Sequence, residues 1–296
     1  MEHITVCICT FKRPQLLHRL LSELEKQETE GLFTWSVVVV DNDPEESGRG
    51  AVSEFAKRSS MQIVYTPEPQ RNIALARNRA VANAHGDFVG FVDDDEYPVP
   101  NWLCSLFKTC KASSAGGVLG PVEPYFEGPP PRWAVRGRFF ERPRHATGYQ
   151  IGISDARTGN VLLRKEVLDS EIPPFRPEFA TGGEDVDFFR RMMEKGYFFL
   201  WCDEASVYEL VPLSRCSQRY LLRRALLRGR DSLKHRKHRV RSLVKSLVAV
   251  PVYAVCLPFL FVAGSHVFLK YLIKSCDHAG KLLALLRLNP VRERDF

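Results

Sequence analysis

The sequence has few of the features that mark a secreted or disulfide-stabilised protein. Its first apolar stretch, 4–9, is only about six residues long and leads directly into Lys12 and Arg13, so it does not form a secretory signal. The eight cysteines include no pair with the two-residue gap of zinc and redox motifs. We therefore expect reduced thiols and a protein that is made and stays in the cytosol.

Acidic residues are scarce towards the end of the chain. Residues 219–245 contain eleven Lys and Arg and a single acid, Asp231. Residues 219–296 carry a net charge of about +13, which leaves about −6 for residues 1–218. Such a basic segment suits nucleic acid or anionic lipid headgroups. No aromatic residue beyond Tyr220 interleaves with the basic residues, so we expect lipid and no nucleic-acid partner.

Residues 246–269 contain no Asp, Glu, Lys or Arg, although Lys245 and Lys270 flank the run. The run is long enough to cross a bilayer. Because Pro251 and Pro258 would kink a helix and both flanks are basic, a re-entrant or interfacial hairpin fits better than one crossing. A buried core helix is the alternative. The apolar positions that follow fit an amphipathic surface helix and are Leu272, Cys276, Leu283 and Leu286.

The first half of the sequence alternates between apolar strands and helices, and we find no internal repeat. The predicted strands are 4–9, 35–40, 62–65 and 87–92, and the predicted helices begin at Pro14 and span 72–84. This order predicts an α/β fold with a mostly parallel, doubly wound sheet and helices on both faces. Ligands of such sheets bind beyond the carboxyl ends of the strands.

The second half is less regular. Pro, Gly and aromatic residues dominate 121–144, which indicates a long functional loop or lid. Residues 160–164 fit another strand. A helix is predicted over 186–195, with acids in its first turn and Gly196 at its end.

Four consecutive acids, Asp93 to Glu96, follow the apolar strand that ends at Val92. Strand geometry would place Asp93 and Asp95 on the same side, about 6–7 Å apart along the backbone. Two carboxylates in this arrangement can hold Mg²⁺ or Mn²⁺ and bridge the ion to substrate phosphates. An ordinary solvated acidic turn is the alternative.

A second acidic motif, Gly182-Gly183-Glu184-Asp185, stands at a predicted helix start. The glycines allow the backbone to approach a ligand, and a carboxylate there can accept a proton from an attacking hydroxyl as a general base. Asp is also a favoured helix cap, so a purely structural role is an equal alternative.

Basic and polar residues near the strand ends suit phosphate and nucleotide. Arginines on the helix before the acidic strand can bind phosphate or lie on a solvated helix face. Asp41 and Asn42, after the second strand, suit a base or ribose, or form an ordinary turn. The arginines are Arg71, Arg77 and Arg79.

In this order and spacing, the motifs resemble the large family 2 glycosyltransferases over roughly residues 3–230. The matching segments are Val6-Cys7-Ile8-Cys9-Thr10-Phe11-Lys12-Arg13-Pro14, Val37–Asp41, Ala76-Arg77-Asn78, Gly86-Asp87-Phe88, Asp93-Asp94-Asp95 and Gly183-Glu184-Asp185. Cys7 to Pro14 and Thr158-Gly159-Asn160 resemble the branch that includes succinoglycan glucosyltransferases of bacterial exopolysaccharide synthesis.

The resemblance implies a GT-A fold and a role for each matched residue. Asp93 and Asp95 would bind Mg²⁺ or Mn²⁺, and Asp185 would be the catalytic base, with Glu184 beside it. Glu209 stands where a His often closes such sites, which leaves the third metal ligand open. The residues that would bind the nucleotide sugar are Thr10, Phe11, Arg13, Asp41, Arg71, Asn78 and Asp94.

The implied activity is an inverting transfer of glucose or a related hexose from a UDP-sugar. The expected acceptor is a polyprenyl-diphosphate-linked saccharide at the cytoplasmic face of the inner membrane. We expect a GT-A catalytic domain over 1–215, a basic juxtamembrane helical segment over 216–245 and membrane-associated helices over 246–296. The alternatives are a nucleic-acid- or membrane-binding protein that uses 219–245 without sugar transfer, and an inactive nucleotide-sugar-binding scaffold.

Overall fold

The computed structural model describes residues 1–180, 182–233, 239–288 and 291. They form two compact units. The first contains residues 1–124 and 142–209, and the second contains residues 125–141 and 210–296. The middle of the predicted basic segment, 234–238, lies outside the described residues, as do Thr181, 289–290 and 292–296.

The described residues form ten strands and ten α-helices. The strands are β1 (Glu2–Thr10), β2 (Phe33–Asp41), β3 (Ile63–Pro67), β4 (Phe88–Val92), β5 (Glu96–Pro98), β6 (Gly117–Leu119), β7 (Val122–Phe126), β8 (Asn160–Arg164), β9 (Phe199–Trp201) and β10 (Val207–Val211). The helices are α1 (Pro14–Leu24), α2 (Arg49–Arg58), α3 (Ile73–Asn83), α4 (Trp102–Lys111), α5 (Arg132–Gly137), α6 (Lys165–Asp169), α7 (Glu184–Glu194), α8 (Gln218–Ser232), α9 (Arg239–Val262) and α10 (Ser265–Leu285).

The central sheet has seven strands in the order β3-β2-β1-β4-β8-β6-β9. β1 pairs in parallel with both β2 and β4, and β2 pairs in parallel with β3. Only β8 runs antiparallel to its neighbours, β4 and β6. The predicted mostly parallel α/β sheet is therefore confirmed. The chain proceeds outward from β1 to β3 and then returns to the other side of β1, which creates a switch point between β1 and β4.

Apolar residues cover both faces of this sheet, as the nearly continuous apolar strands predicted. On β2, Val37 and Val39 join one core with α1 and α4, whereas Val38 and Val40 join the other with α3 and α7. The neighbouring Cys7 and Cys9 pack against the second core, and each is a free thiol. The helices thus lie on both faces of the sheet.

Several elements were not predicted from the sequence. α2 buries only Val52 and Phe55, so its periodicity is too weak to recognise. α4 was not predicted either, although it buries Trp102, Leu106 and most of the residues between them and exposes Lys108 and Lys111.

In the second unit, the long apolar run is divided between α9 and α10, with Gly264 at φ 121° between them. Pro251 and Pro258 both lie inside α9. α10 packs against α8 and α9, so the chain reverses direction after Val262, whereas residues 246–262 form one continuous helix. The membrane hairpin stays a prediction. Val240–Val262 is the one helix in the described residues that is long and apolar enough to cross a membrane, and only 6% of its apolar window is buried. The alternative of a buried core helix is therefore wrong.

Candidate functional site

The acidic run lies at the switch point of the sheet. β1 and β4 are neighbours, and their carboxyl ends bring Thr10 and the acids after Val92 to the same edge. The turn closes with a hydrogen bond from the Glu96 amide to the Asp93 carbonyl, at 3.0 Å. This is the edge at which ligands bind in open α/β sheets.

Asp94 and Asp95 share one guanidinium. Arg13 Nη1 lies 2.9 Å from Asp94 Oδ1 and 3.1 Å from Asp95 Oδ2. Thr10 Oγ1 donates a 2.8 Å hydrogen bond to the other oxygen of Asp94. The strand geometry that was expected to place Asp93 and Asp95 on the same side does not apply, because β4 ends at Val92 and the acids occupy a turn.

Asp93 faces a different arginine. Arg77 Nη2, on α3, lies 3.5 Å from Asp93 Oδ1, and the same guanidinium forms an ion pair with Glu184 at the start of α7. Arg77 and Glu184 are both buried, whereas 47% of the Asp93 side chain is exposed. One cation therefore joins the two acidic motifs that the sequence placed about 90 residues apart.

Glu96 and Gly159 both lie directly against Asp93. The Asp93 amide donates to Glu96 Oε2 at 3.1 Å. A Cβ at Gly159 would lie 2.8 Å from Glu96 Oε1 and 3.0 Å from Asp93 Oδ2, so only glycine leaves both carboxylates in place. Asn160 fixes this segment, because its amide donates to the carbonyls of Pro121 and Ala205 at 2.9 and 2.7 Å.

Glu209 lies close to the same carboxylates. In the antiparallel pair of β5 and β10, Glu209 is opposite Glu96, and Arg142 forms an ion pair with Glu209. The charge of Glu209 contributes to the raised pKa of both Asp93 and Glu96, which shows that it acts on the acidic cluster.

Burial and mutual repulsion act on the pKa values of the acids. Desolvation raises the pKa of Asp93, against the attraction of Arg77. Desolvation likewise raises the pKa of Asp94 to about 6, with Arg13 opposing, and the pKa of Glu96 well above its ordinary value, with Asp93 adding to the rise. About half of the Asp93 side chain nevertheless stays exposed, at 47%, so its carboxylate is open to a ligand.

The donor set suits a hard divalent cation that substrate oxygens would complete. Among the described residues, no group of three or more His, Cys, Asp or Glu forms a preformed metal cage. The half-exposed carboxylate of Asp93 nevertheless offers oxygen ligands close to the charges of Asp95 and Glu209. Mg²⁺ and Mn²⁺ sites commonly use one or two carboxylates together with water and phosphate oxygens.

Asp185 follows directly on the residue that Arg77 binds. Gly183, at φ 95°, is the residue before α7, so Asp185 lies inside the first turn and is not the cap. Its carboxylate accepts a 2.7 Å hydrogen bond from the Val186 amide and remains partly exposed. Burial lowers the pKa of the Arg157 guanidinium, whereas the nearby charges of Glu96 and Asp185 raise it.

The residues predicted to bind the nucleotide sugar differ in their exposure to solvent. Arg71 lies over the Phe11 ring, 4.7 Å from its centroid, and the Phe11 side chain is partly exposed. Asp41 is fully buried and accepts hydrogen bonds from the Gly48 amide at 2.6 Å and from the Tyr65 hydroxyl at 2.9 Å.

Two asparagines brace the loops behind the site. Asn78 donates to the Phe175 carbonyl at 2.7 Å and accepts from the Phe175 amide at 3.0 Å. Asn42 donates to the carbonyls of Glu68 and Gln70, both at 2.7 Å. Their side chains are therefore occupied by the backbone of the first unit.

Two residues of the cluster, Arg142 and Gly159, have no predicted role from the sequence. Arg142 lies in the stretch interpreted as a lid, and nothing in its local sequence connects it with Glu209. Gly159 appeared only within a resemblance, although a glycine before a buried Asn on a strand is a signal of close backbone approach.

The comparisons with known proteins agree with this geometry. Residues 5–171 match the family described as Glycosyl transferase family 2. The chain is also 31% identical over 305 aligned residues to the succinoglycan biosynthesis protein ExoM of Rhizobium meliloti (strain 1021), with 98% of this chain and 95% of ExoM covered.

The chain belongs to glycosyl transferase family 2.

Solved glycosyltransferase structures share the fold. The mannosyltransferase PcManGT from Pyrobaculum calidifontis, in complex with GDP-Man and Mn²⁺, superposes with a TM-score of 0.65 at 19% identity, over 96% of this chain and 86% of that one. Residues 1–349 of S. aureus TarS in complex with UDP superpose with a TM-score of 0.56 at 16% identity, over 100% and 95% of the two chains. The predicted GT-A fold of this family member is thereby confirmed.

Proposed function

We propose that this glycosyltransferase moves a hexose with inversion from a UDP-sugar to a membrane lipid-linked saccharide in exopolysaccharide synthesis. One observation carries the proposal: Arg77 contacts both Asp93 and Glu184, so the acidic turn and the start of α7 face one space. The similarity to a succinoglycan biosynthesis protein supports the pathway class, and the UDP complex of TarS supports the donor class.

Asp185 is the proposed general base. It would take the proton of the acceptor hydroxyl as that oxygen forms its bond to C1 of the sugar, while the bond from C1 to the diphosphate oxygen breaks. The product sugar is then inverted because attack and departure take place on opposite faces. Glu184 is a positioning residue in this scheme, because its carboxylate is buried against Arg77.

Asp93 is the proposed main ligand of Mg²⁺ or Mn²⁺, with Asp95 as its partner. A bound divalent ion would neutralise the charge that develops on the leaving diphosphate. Asp95 is also held by Arg13, so Arg13 would fix the orientation of the Asp94 and Asp95 carboxylates towards the donor. The Mn²⁺ complex of PcManGT supports this choice of ion.

Thr10, Phe11 and Arg71 are the proposed contacts of the nucleotide, together with Asp94. Thr10 holds Asp94 by a hydrogen bond, while Phe11 and Arg71 offer a partly exposed ring and cation beside the end of β1. Such a pair suits a planar base and its phosphates. For Asp41 and Asn78, the proposed contribution is indirect, through the loops that they brace.

The C-terminal helices support the proposed acceptor and location. Their apolar surface and basic flanks favour a membrane, and a lipid-linked saccharide is an acceptor that membrane contact would concentrate. We place the enzyme at the cytoplasmic face of the inner membrane.

The decisive experiment is a donor screen with the purified full chain. UDP-, GDP- and dTDP-sugars are incubated with Mn²⁺ and a lipid-linked acceptor, and nucleotide release and labelled product are followed. Asp93→Asn and Asp185→Asn should each lower kcat by at least about a hundredfold. Glu54→Gln, on the exposed face of α2, is the matched carboxylate control. Full activity in both site variants would refute the proposal.

A further inference from the structure

The outer face of α9 carries a continuous apolar stripe. The helix has 24 residues and is therefore about 36 Å long. Its stripe residues recur every three, four or seven positions and are 57–88% exposed. They are Val240, Val244, Leu247, Val248, Val255, Phe259 and Val262.

α9 is held in register against α10. Ser246 Oγ lies 2.9 Å from His278 Nδ1, and the rings of Tyr253 and Tyr271 are 6.1 Å apart. Residues 246–253 of α9 are therefore level with residues 271–278 of α10. Lys274 is consequently level with the middle of the apolar helix.

α8 also packs closely against α10. A Cβ at Gly229 would lie 2.0 Å from the Asp277 carbonyl oxygen, and a Cβ at Gly280 would lie 2.2 Å from that of Leu226. Arg228 Nε also donates to Asp277 at 2.8 Å. The three helices therefore pack together as one bundle.

This arrangement conflicts with a transmembrane path for α9. If α9 crossed a hydrocarbon core of about 30 Å, α10 and α8 would be drawn into it. Charged side chains at the centre of a bilayer are strongly disfavoured. By the register above, the charged residues that would enter include Arg228, Lys270, Lys274 and Asp277.

We propose that α9 lies in the plane of one leaflet of an anionic membrane, its apolar stripe immersed and α10 and α8 on the aqueous side. A stripe that runs the whole length of a helix suits burial parallel to the surface. Exposed cations at Arg241, Lys245 and Lys270 would meet anionic headgroups. The inference refines the membrane partner named under the proposed function, but its tests measure binding and depth and do not require sugar transfer.

The first test is flotation of the full chain with vesicles. Vesicles of phosphatidylglycerol and phosphatidylcholine should bind the protein, and phosphatidylcholine alone or high salt should weaken that binding. Val255→Glu combined with Phe259→Glu should lower the partition coefficient at least about tenfold. Leu32→Glu, at another exposed apolar position, is the control and should bind as the parent does. Equal binding by the two variants, or a folded parent that ignores anionic vesicles, overturns the proposal.

The second test separates lying in the leaflet from crossing it. Single cysteines are introduced along the stripe in a Cys256→Ser and Cys276→Ser background, and each is labelled with a fluorophore. Quenching by lipids spin-labelled at known depths then reports immersion. The proposal expects similar, shallow depths on one side at every position. A depth profile that passes through the bilayer centre overturns it. Quenching of the label at Val262 only by lipids of the opposite leaflet also overturns it. The positions are Val244, Val248, Val255 and Val262.

Discussion

Arg77 and Glu184 form an ion pair in which both partners are buried. Arg77 belongs to α3 and Glu184 to α7, and the guanidinium also contacts Asp93. A buried carboxylate needs such a partner because desolvation penalises its charge. The pair therefore fixes the start of α7 relative to the acidic turn, and with it the position of Asp185.

Removal of Arg77 should cost stability because it leaves the Glu184 carboxylate buried without its cation. We expect Arg77→Met to lower the free energy of unfolding by about 3–5 kcal/mol. Glu184→Gln added to this variant should restore part of the loss. Urea denaturation measures both. Arg79→Met, which breaks a partly exposed pair with Glu68, is the control and should cost less than about 1 kcal/mol. Equal losses in the two single variants would contradict the structural role of Arg77.

A side chain at Gly159 should displace the carboxylates of Glu96 and Asp93. In Gly159→Ala the methyl group would push against Glu96 and Asp93 at 2.8 and 3.0 Å. We expect at least a tenfold or so loss of kcat/KM, together with a higher Mn²⁺ concentration for half-maximal activity. Gly152→Ala places its methyl 3.9 Å from the nearest atom and is the matched control. An active Gly159→Ala enzyme with unchanged metal dependence would show that the acids do not need this geometry.

A substitution of Asn78 can show whether this residue stabilises the fold or contacts the nucleotide sugar. Its two hydrogen bonds to the Phe175 backbone predict that Asn78→Ala lowers the free energy of unfolding by about 2 kcal/mol. The Kd of the folded variant for the nucleotide sugar should stay close to that of the parent, as calorimetry can show. Asn83→Ala, on the exposed side of the same helix, is the control. A large rise in Kd without loss of stability would restore the direct nucleotide contact that the family resemblance implies.

His3 should make stability depend on pH. Burial lowers its pKa from 6.5, His85 lowers it further, and Asp87 opposes both. A folded-state pKa below the unfolded value means that the stabilisation is complete above pH 6.5 and declines as the pH falls through the folded-state pKa. His3→Gln should therefore flatten the fall in unfolding free energy on the acid side of pH 6.5, as urea titrations at several pH values can show. The same change at His266, on α10, controls for the loss of a histidine, and an unchanged pH slope in His3→Gln would argue against this origin.

The parts of the fold that the sequence predicted share a strong local signal. β2 is almost continuously apolar from Trp35 to Val40 because both of its faces are covered, and α1 begins at a proline and repeats leucine with helical spacing. α2 and β5 lack such a signal, so neither was predicted. The strand geometry assumed for Asp93 and Asp95 was wrong for a related reason, since no local signal shows that β4 ends before the first acid.

The sequence by itself determined the family of this protein, the order of its acidic motifs and the apolar run near its end, because each depends on neighbouring residues and their spacing. Only the tertiary structure decided that Arg77 joins Asp93 to Glu184, that Gly159 lies beneath the acids and that Arg142 faces Glu209. These contacts connect residues far apart in the chain, and sheet pairing and helix packing bring them together. Tertiary contacts also decide the case of α9. Its apolar sequence is long enough to cross a membrane, but its packing against α10 means that charged residues of α10 would have to enter the membrane with it.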